Sequence, residues 1–196
     1  MKAFGLVDVQ VLDSTIIVEL KYASQDNFMG QNLYGNLRKA YLNEGFARRI
    51  VEAQRLLRQK HPGYSLLIYD AARPISVQRS MYASVVNTPN KVYVADGDRG
   101  GRHNYGVAVD LTIANGDGTP LDMGSCFDCF GKASHTGSET ELIRKGLISP
   151  QAAANRALLR GIMKGVGLVP YWREWWHYEE PIKMQEVRCR YPLLDF

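Results

Sequence analysis

Four histidines occur in the chain, at positions 61, 103, 135 and 177, and three of them stand among glycines, serines or aromatics rather than on amphipathic faces. In RHNYGVAVD, His103 precedes Gly106 by three residues and Asp110 by seven. Asp110 is a carboxylate inside an otherwise apolar run, costly to bury unless it is paired or bound to a metal. A salt bridge or a strand end would also satisfy it. Residues seven apart on one strand point to opposite faces. His103 can therefore meet Asp110 only if it lies before the strand and Gly106 lets the chain bend. In EWWHYE, Glu174 and His177 flank two tryptophans, whose bulk would exclude water and raise the carboxylate pKa, as suits a general base. A core histidine among aromatics is the alternative. In DAARP, Arg73 can aim a guanidinium at a developing oxyanion while Asp70 orients a neighbour; a structural Arg–Asp pair at a strand end reads equally well. His61 ends a predicted helix, where it complements the dipole and has no part in chemistry.

The elements that must position these residues are readable in outline. Residues 5 to 22 alternate enough to predict one or two strands. Ser24 to Arg38, rich in Asn, Gly and Gln, reads as an irregular loop that shapes a pocket. Asn43 caps a predicted helix reaching Lys60, with Phe46, Ile50, Ala53 and Leu57 on one stripe and Pro62–Gly63 as the stop. SLLIYD (65–70) predicts a buried strand delivering DAARP at its end, and Ser76 to Val86 a helix. Asn87 to Arg102 is a loop in which Val92 to Val94 can pair briefly. Val107 to Ile113 is the most strand-like run, turned by NGDGTP. Ser138 with Glu141 predicts a capping box, and Ser149–Pro150 a helix to about Lys164 ending at Gly165 and Gly167. Leu168–Val169 and Trp175 to Tyr178 read as extended. Strands and helices mix without regular alternation, so the class is α+β.

The motifs DAARP, RHNYGVAVDLT and EWWHYE, in that order, resemble the zinc D-alanyl-D-alanine dipeptidases, the vancomycin-resistance type of the DD-peptidase/Hedgehog-like fold family. LKYASQDNFMG, the pair Tyr34–Gly35, MGSCFD, and Ser134–His135 extend the resemblance over nearly the whole chain. It implies a small central antiparallel sheet flanked by helices, in one peptidase domain spanning 1–196. It implies one zinc ion held by His103, Asp110 and His177 with a fourth position open, as catalytic zinc requires. Glu174 takes the role of general base and Arg73 that of oxyanion stabiliser, on a small dipeptide substrate, D-Ala-D-Ala. Tyr34, Asp70, Asp128, Ser134 and His135 are carried over as residues beside the metal or the substrate. The loops Asp26 to Tyr34 and Asp128 to His135 are candidate walls of a closed pocket. In the family pattern S-x-H-x-x-G-x-A-x-D the leading Ser is Gly101 here, which removes one hydroxyl from the substrate's surroundings. A related zinc carboxypeptidase or wall-peptide hydrolase, or a non-catalytic module binding zinc or wall fragments, competes with this reading. The last has no need of a base.

Bulk composition sets the outer bounds. At 196 residues with 45% hydrophobic content the chain can bury a core without staples. Its formal charge of +4 is dispersed, with no run of five Lys or Arg, which disfavours nucleic acid as a partner. No stretch approaches the ~20 apolar residues of a membrane span. The N-terminus lacks a signal-like apolar segment, so a cytoplasmic location is expected; the alternative is a periplasmic form whose signal has been removed. Cys126 and Cys129 form a C-x-x-C in a loop-like stretch, readable as packing cysteines or a disulfide, as a redox pair, or as metal ligands. Oligomeric state is not legible.

Overall fold

The structure is a computed structural model describing all residues, Met1–Phe196. Seven strands and six helices follow one another as β1 (Leu6–Asp8), α1 (Val9–Leu12), β2 (Ile17–Val18), β3 (Tyr41–Asn43), α2 (Glu44–Lys60), β4 (Ser65–Asp70), α3 (Ile75–Val85), β5 (Ala108–Ala114), α4 (Glu139–Arg144), α5 (Pro150–Gly165), β6 (Val169–Pro170), β7 (His177–Glu179) and α6 (Met184–Arg190). β1 and β3 make a small antiparallel pair, and the other five strands form one sheet in the order β2-β4-β5-β7-β6. The architecture is α+β, as expected. The sheet is antiparallel except at one edge, where β2 runs parallel to β4. The expected antiparallel sheet holds for the β4–β5, β5–β7 and β6–β7 pairs; at the β2 edge α2 returns the chain across the sheet, and a crossover of that length permits parallel pairing.

The centre of the sheet is built from apolar runs. β5 is buried at all seven positions, and β4 at all but Ser65. Helix α2 seals one side with Phe46, Ala47, Ile50, Ala53 and Leu57, each large side chain contributing about 1.5–3 kcal/mol by leaving water. Its start is fixed as expected, the Asn43 side chain accepting from the Gly45 amide at 3.1 Å. The Ser149 hydroxyl caps α5 by accepting from the Ala152 amide at 2.9 Å.

The 5–22 stretch forms two strands, β1 and β2, parted by α1, which starts where Asp8 accepts from the Gln10 amide. Three local expectations are corrected. Val92 lies in a 3-10 turn, Pro89–Tyr93, opened by the Thr88 side chain, and Val94 pairs with no strand. Trp175 and Trp176 occupy a turn, so the last run becomes a strand only at His177. Ser138 gives α4 no side-chain cap; the Glu139 carboxylate takes the Gly137 amide instead and pairs with Arg160.

Candidate metal and catalytic site

Sheet register does most of the assembly. Asp110 on β5 lies directly opposite His177 on β7 and, past an irregularity between Ile68 and Asp70, opposite Asp70 on β4. Directly paired residues project to the same face, so three polar side chains share one patch of an apolar sheet. His103 reaches that patch from outside the sheet. It sits in a 3-10 turn, Arg102–Tyr105, ended by Gly106 at φ +70°. A Cβ on Gly106 would lie 2.8 Å from Leu6 Cδ2 and 3.2 Å from the Asn43 nitrogen, so the bend requires glycine.

The ligand-type atoms converge. His103 Nε2 is 3.1 Å from His177 Nδ1, and Asp110 Oδ1 is 3.2 Å from the former and 2.9 Å from the latter. All three residues are buried or nearly so. The far nitrogens are occupied: His103 Nδ1 donates to the Ala71 carbonyl at 2.8 Å, and His177 Nε2 donates to Glu179 Oε2 at 2.9 Å. With those tautomers assigned from their partners, both near nitrogens present lone pairs to the same point as a carboxylate oxygen. Such a set repels itself unless a cation lies between. Ligands ~2.0–2.1 Å from a tetrahedral zinc stand ~3.3 Å apart, close to the three separations here. The donor set of two imidazoles and one carboxylate therefore fits a divalent metal of the zinc type. Without a cation a proton takes that place. Burial pulls the His177 pKa down, but Asp110 and Glu179 on either side push it up to about 10. Burial raises the Asp110 carboxyl, and the two imidazoles overcome this and hold it well below the usual carboxylate range. Metal binding displaces such protons.

Around this cluster lies a cavity of about 320 Å³ whose walls include His103, Asp110, His177, Glu174, Arg73 and Asp128. Glu174 follows the turn after Tyr171, and no protein group hydrogen-bonds its carboxylate. Burial pushes its pKa up to about 8; His177, 3.9 Å away, opposes the shift, and Asp110 and Asp128 add to it. A bound dication would draw it back down. Arg73 is buried yet satisfied. Its Nε donates to Asp70 Oδ2 at 3.0 Å, Nη2 donates to the same oxygen, and Nη1 donates to Gln78 Oε1 at 2.9 Å. The guanidinium lies 5.0 Å from the Tyr22 ring centre, and Nη2 is 3.9 Å from Asp110 Oδ2. Burial works against its charge, but Asp70 and its other neighbours keep the pKa well above the ordinary value.

The remaining candidates divide by position. Asp128 lines the cavity, accepting from the Tyr22 hydroxyl at 3.1 Å and the Phe28 amide at 3.4 Å. Loss of water and the Asp110 charge push its pKa up to about 7. Asp70 and Tyr34 stand behind the wall: the Tyr34 hydroxyl donates to Asp70, which holds Arg73. Ser134 is buried beneath the loop, bonded to Ser125 and to the Cys129 carbonyl, and does not reach the cavity. His135 also stays outside it, with Nε2 3.3 Å from the Tyr93 hydroxyl and its ring against Trp172. Of the two loops expected as walls, 26–34 contributes Phe28 while Asp26 turns away to Lys21, and 128–135 contributes Asp128 and Phe130. Cys126 and Cys129 are joined as a disulfide. At Gly101 a Cβ would lie 2.9 Å from Ala95 Cβ, so the serine of the family pattern would need Ala95 to move.

Three contributors were not singled out from the sequence. Glu179 orients His177 and is itself held by Arg102 Nε at 3.2 Å; its position two residues along the same strand is the signal that it shares His177's face. Gln78 steadies Arg73 and donates to the Ala95 carbonyl at 2.8 Å. Tyr22 lies under Arg73 and bonds Asp128. Tyr22 carries no local signal, because it acts across an interface between separate segments; Gln78 stands five residues after Arg73, near the start of α3.

Comparison with known proteins matches residues 2–193 to a family model described as D-ala-D-ala dipeptidase. A D-alanyl-D-alanine dipeptidase of Escherichia coli (strain K12) is 34% identical over 189 residues, covering 96% of this chain and 89% of the relative. One from Enterococcus faecium is 31% identical over 180 residues, covering 82% and 83%. One from Streptomyces coelicolor is 31% identical over 198 residues, covering 91% and 93%.

Proposed function

The chain belongs to the D-ala-D-ala dipeptidase family of metallopeptidases, and from that premise we propose that it hydrolyses the dipeptide D-Ala-D-Ala to two D-alanines. The reading takes the whole chain as one catalytic domain with one zinc ion on His103, Asp110 and His177. The observation that carries it is the convergence of His103 Nε2, Asp110 Oδ1 and His177 Nδ1 in a cavity that also holds Glu174 and Arg73. A zinc ion supplies Lewis acidity when bound, making water acidic near neutral pH and polarising a carbonyl.

Each chain residue then has a task. Glu179 and the Ala71 carbonyl fix the two imidazoles in the tautomers that leave their near nitrogens free. Glu174, without a hydrogen-bond partner of its own, takes the proton of the attacking water and delivers it to the departing amine. Arg73, pinned by Asp70 and Gln78, offers positive charge where the oxyanion develops, and pays no reorganisation cost at that moment. Asp128 supplies a carboxylate for the substrate ammonium. A cavity of about 320 Å³ is at the small end of ligand pockets, which favours a dipeptide over a long strand. The test is release of D-alanine from D-Ala-D-Ala, with L-Ala-L-Ala and a pentapeptide as comparisons. Cleavage of the pentapeptide in preference to the dipeptide would replace the reading with a carboxypeptidase.

A further inference from the structure

The bonded pair Cys126–Cys129 takes no part in the chemistry above, yet the loop it closes has Asp128 inside it. Asp128 is the one non-glycine residue with positive φ, at 58°. That region is disfavoured for any L residue, Asp included, although Asp tolerates it better than most. From Cys126 to Phe130 the chain makes no backbone–backbone hydrogen bond, so the ordinary means of holding a turn is missing. The ties that remain are made by side chains. Tyr22 and the Phe28 amide reach the Asp128 carboxylate, and the Ser134 hydroxyl donates to the Cys129 carbonyl. Phe127 packs on Tyr69 and Trp176, while Phe130 packs on Phe28 and Tyr93. Cys126 is exposed, and both cysteines line a separate cleft with Lys21 and Asp26. A reductant can reach the sulfurs there without entering the catalytic cavity.

We propose that the Cys126–Cys129 disulfide is a positioning device for the substrate subsite, holding Asp128 in its left-handed conformation with the carboxylate in the cavity. This rests on the reading of Asp128 as the anchor for the substrate ammonium. A cross-link of this kind acts by removing the alternative conformations open to the loop. Reduction by a dithiol breaks the S–S bond: two electrons and two protons pass to the sulfurs, two thiols form, and the reductant closes to its own disulfide. The loop is then free to leave the left-handed conformation, and substrate capture weakens while the metal and Glu174 are untouched.

The experiment compares air-purified, zinc-loaded protein before and after dithiothreitol. Thiol titration of the unfolded chain should find one thiol before reduction, Cys189, and three after it. Reduction should raise KM for D-Ala-D-Ala roughly 3- to 10-fold, the cost of re-ordering a loop and one side chain on binding, with kcat and zinc content little changed. Cys126→Ser combined with Cys129→Ser should show the raised KM and ignore dithiothreitol. Chymotryptic cleavage at Phe127 or Phe130, read by mass, should accelerate on reduction. That readout needs no turnover, so a chain inactive on the dipeptide defeats the functional reading while cleavage still decides the loop. Three thiols in the air-purified protein would overturn the proposal. So would KM and cleavage unchanged after full reduction.

Discussion

Replacing Arg73 by lysine keeps the charge and removes the fork. The guanidinium spends Nε and Nη2 on Asp70 and Nη1 on Gln78, with Tyr22 beneath it. A lysine ammonium that stays on Asp70 cannot also reach Gln78 and face the cavity. Two consequences have different sizes. Asp70 is fully buried and keeps the Tyr34 hydroxyl and a positive neighbour, so the buried charge is not orphaned. Loss of one charge-assisted hydrogen bond then costs about 1.5–3 kcal/mol, which at about 2–4 °C per kcal/mol lowers Tm by roughly 3–12 °C. Loss of the donor at the oxyanion position costs about 10²–10³ in kcat. Steady-state turnover of D-Ala-D-Ala, zinc content and thermal unfolding, measured on one preparation, separate the two. The expected result is a fall in kcat of that size with zinc retained. A kcat within tenfold of the parent would refute the oxyanion role and leave Arg73 as a structural partner of Asp70.

Other predictions follow from the same geometry. Glu174→Gln should lower kcat by about 10²–10⁴ while zinc stays bound; Tm should hardly move, because the carboxylate has no protein hydrogen bond to lose. Glu179→Gln should weaken zinc binding about 10- to 100-fold in a competitive chelator titration, since it loosens the ring orientation of His177; an unchanged affinity would show that the ring needs no such partner. Gly106→Ala should destabilise the chain by about 1–3 kcal/mol and reduce zinc affinity together, because the new Cβ collides with Leu6 and the Asn43 backbone in the turn that carries His103. A normal metal affinity in that variant would mean that the turn does not depend on the left-handed residue.

Much of the frame was legible because it rests on local rules. The Asn43 and Ser149 caps, the apolar stripe of α2 and the continuous apolar runs of β4 and β5 all follow from neighbours within one turn or one strand. The bend at Gly106 was legible too, since a histidine seven residues before a strand carboxylate meets it only through such a turn. What escaped depends on partners distant in sequence. The parallel β2–β4 edge follows from where α2 returns the chain. Ser134 and His135 are drawn away from the cavity by Ser125, Cys129, Tyr93 and Trp172. Tyr22 joins the cavity wall through contacts across segments that no local spacing encodes, and Gln78 meets the Ala95 carbonyl in the same way.

We propose that one divalent metal in the His103–Asp110–His177 cluster makes this cavity a D,D-dipeptidase. The most direct test is D-alanine release from D-Ala-D-Ala by zinc-loaded protein, by chelator-treated protein, and by treated protein given zinc again. The expected result is turnover that is lost on chelation, restored by about one zinc per chain, and absent with L-Ala-L-Ala. Turnover that survives complete removal of metal, or zinc that binds at the cluster with no cleavage of the D,D-dipeptide, would contradict the account.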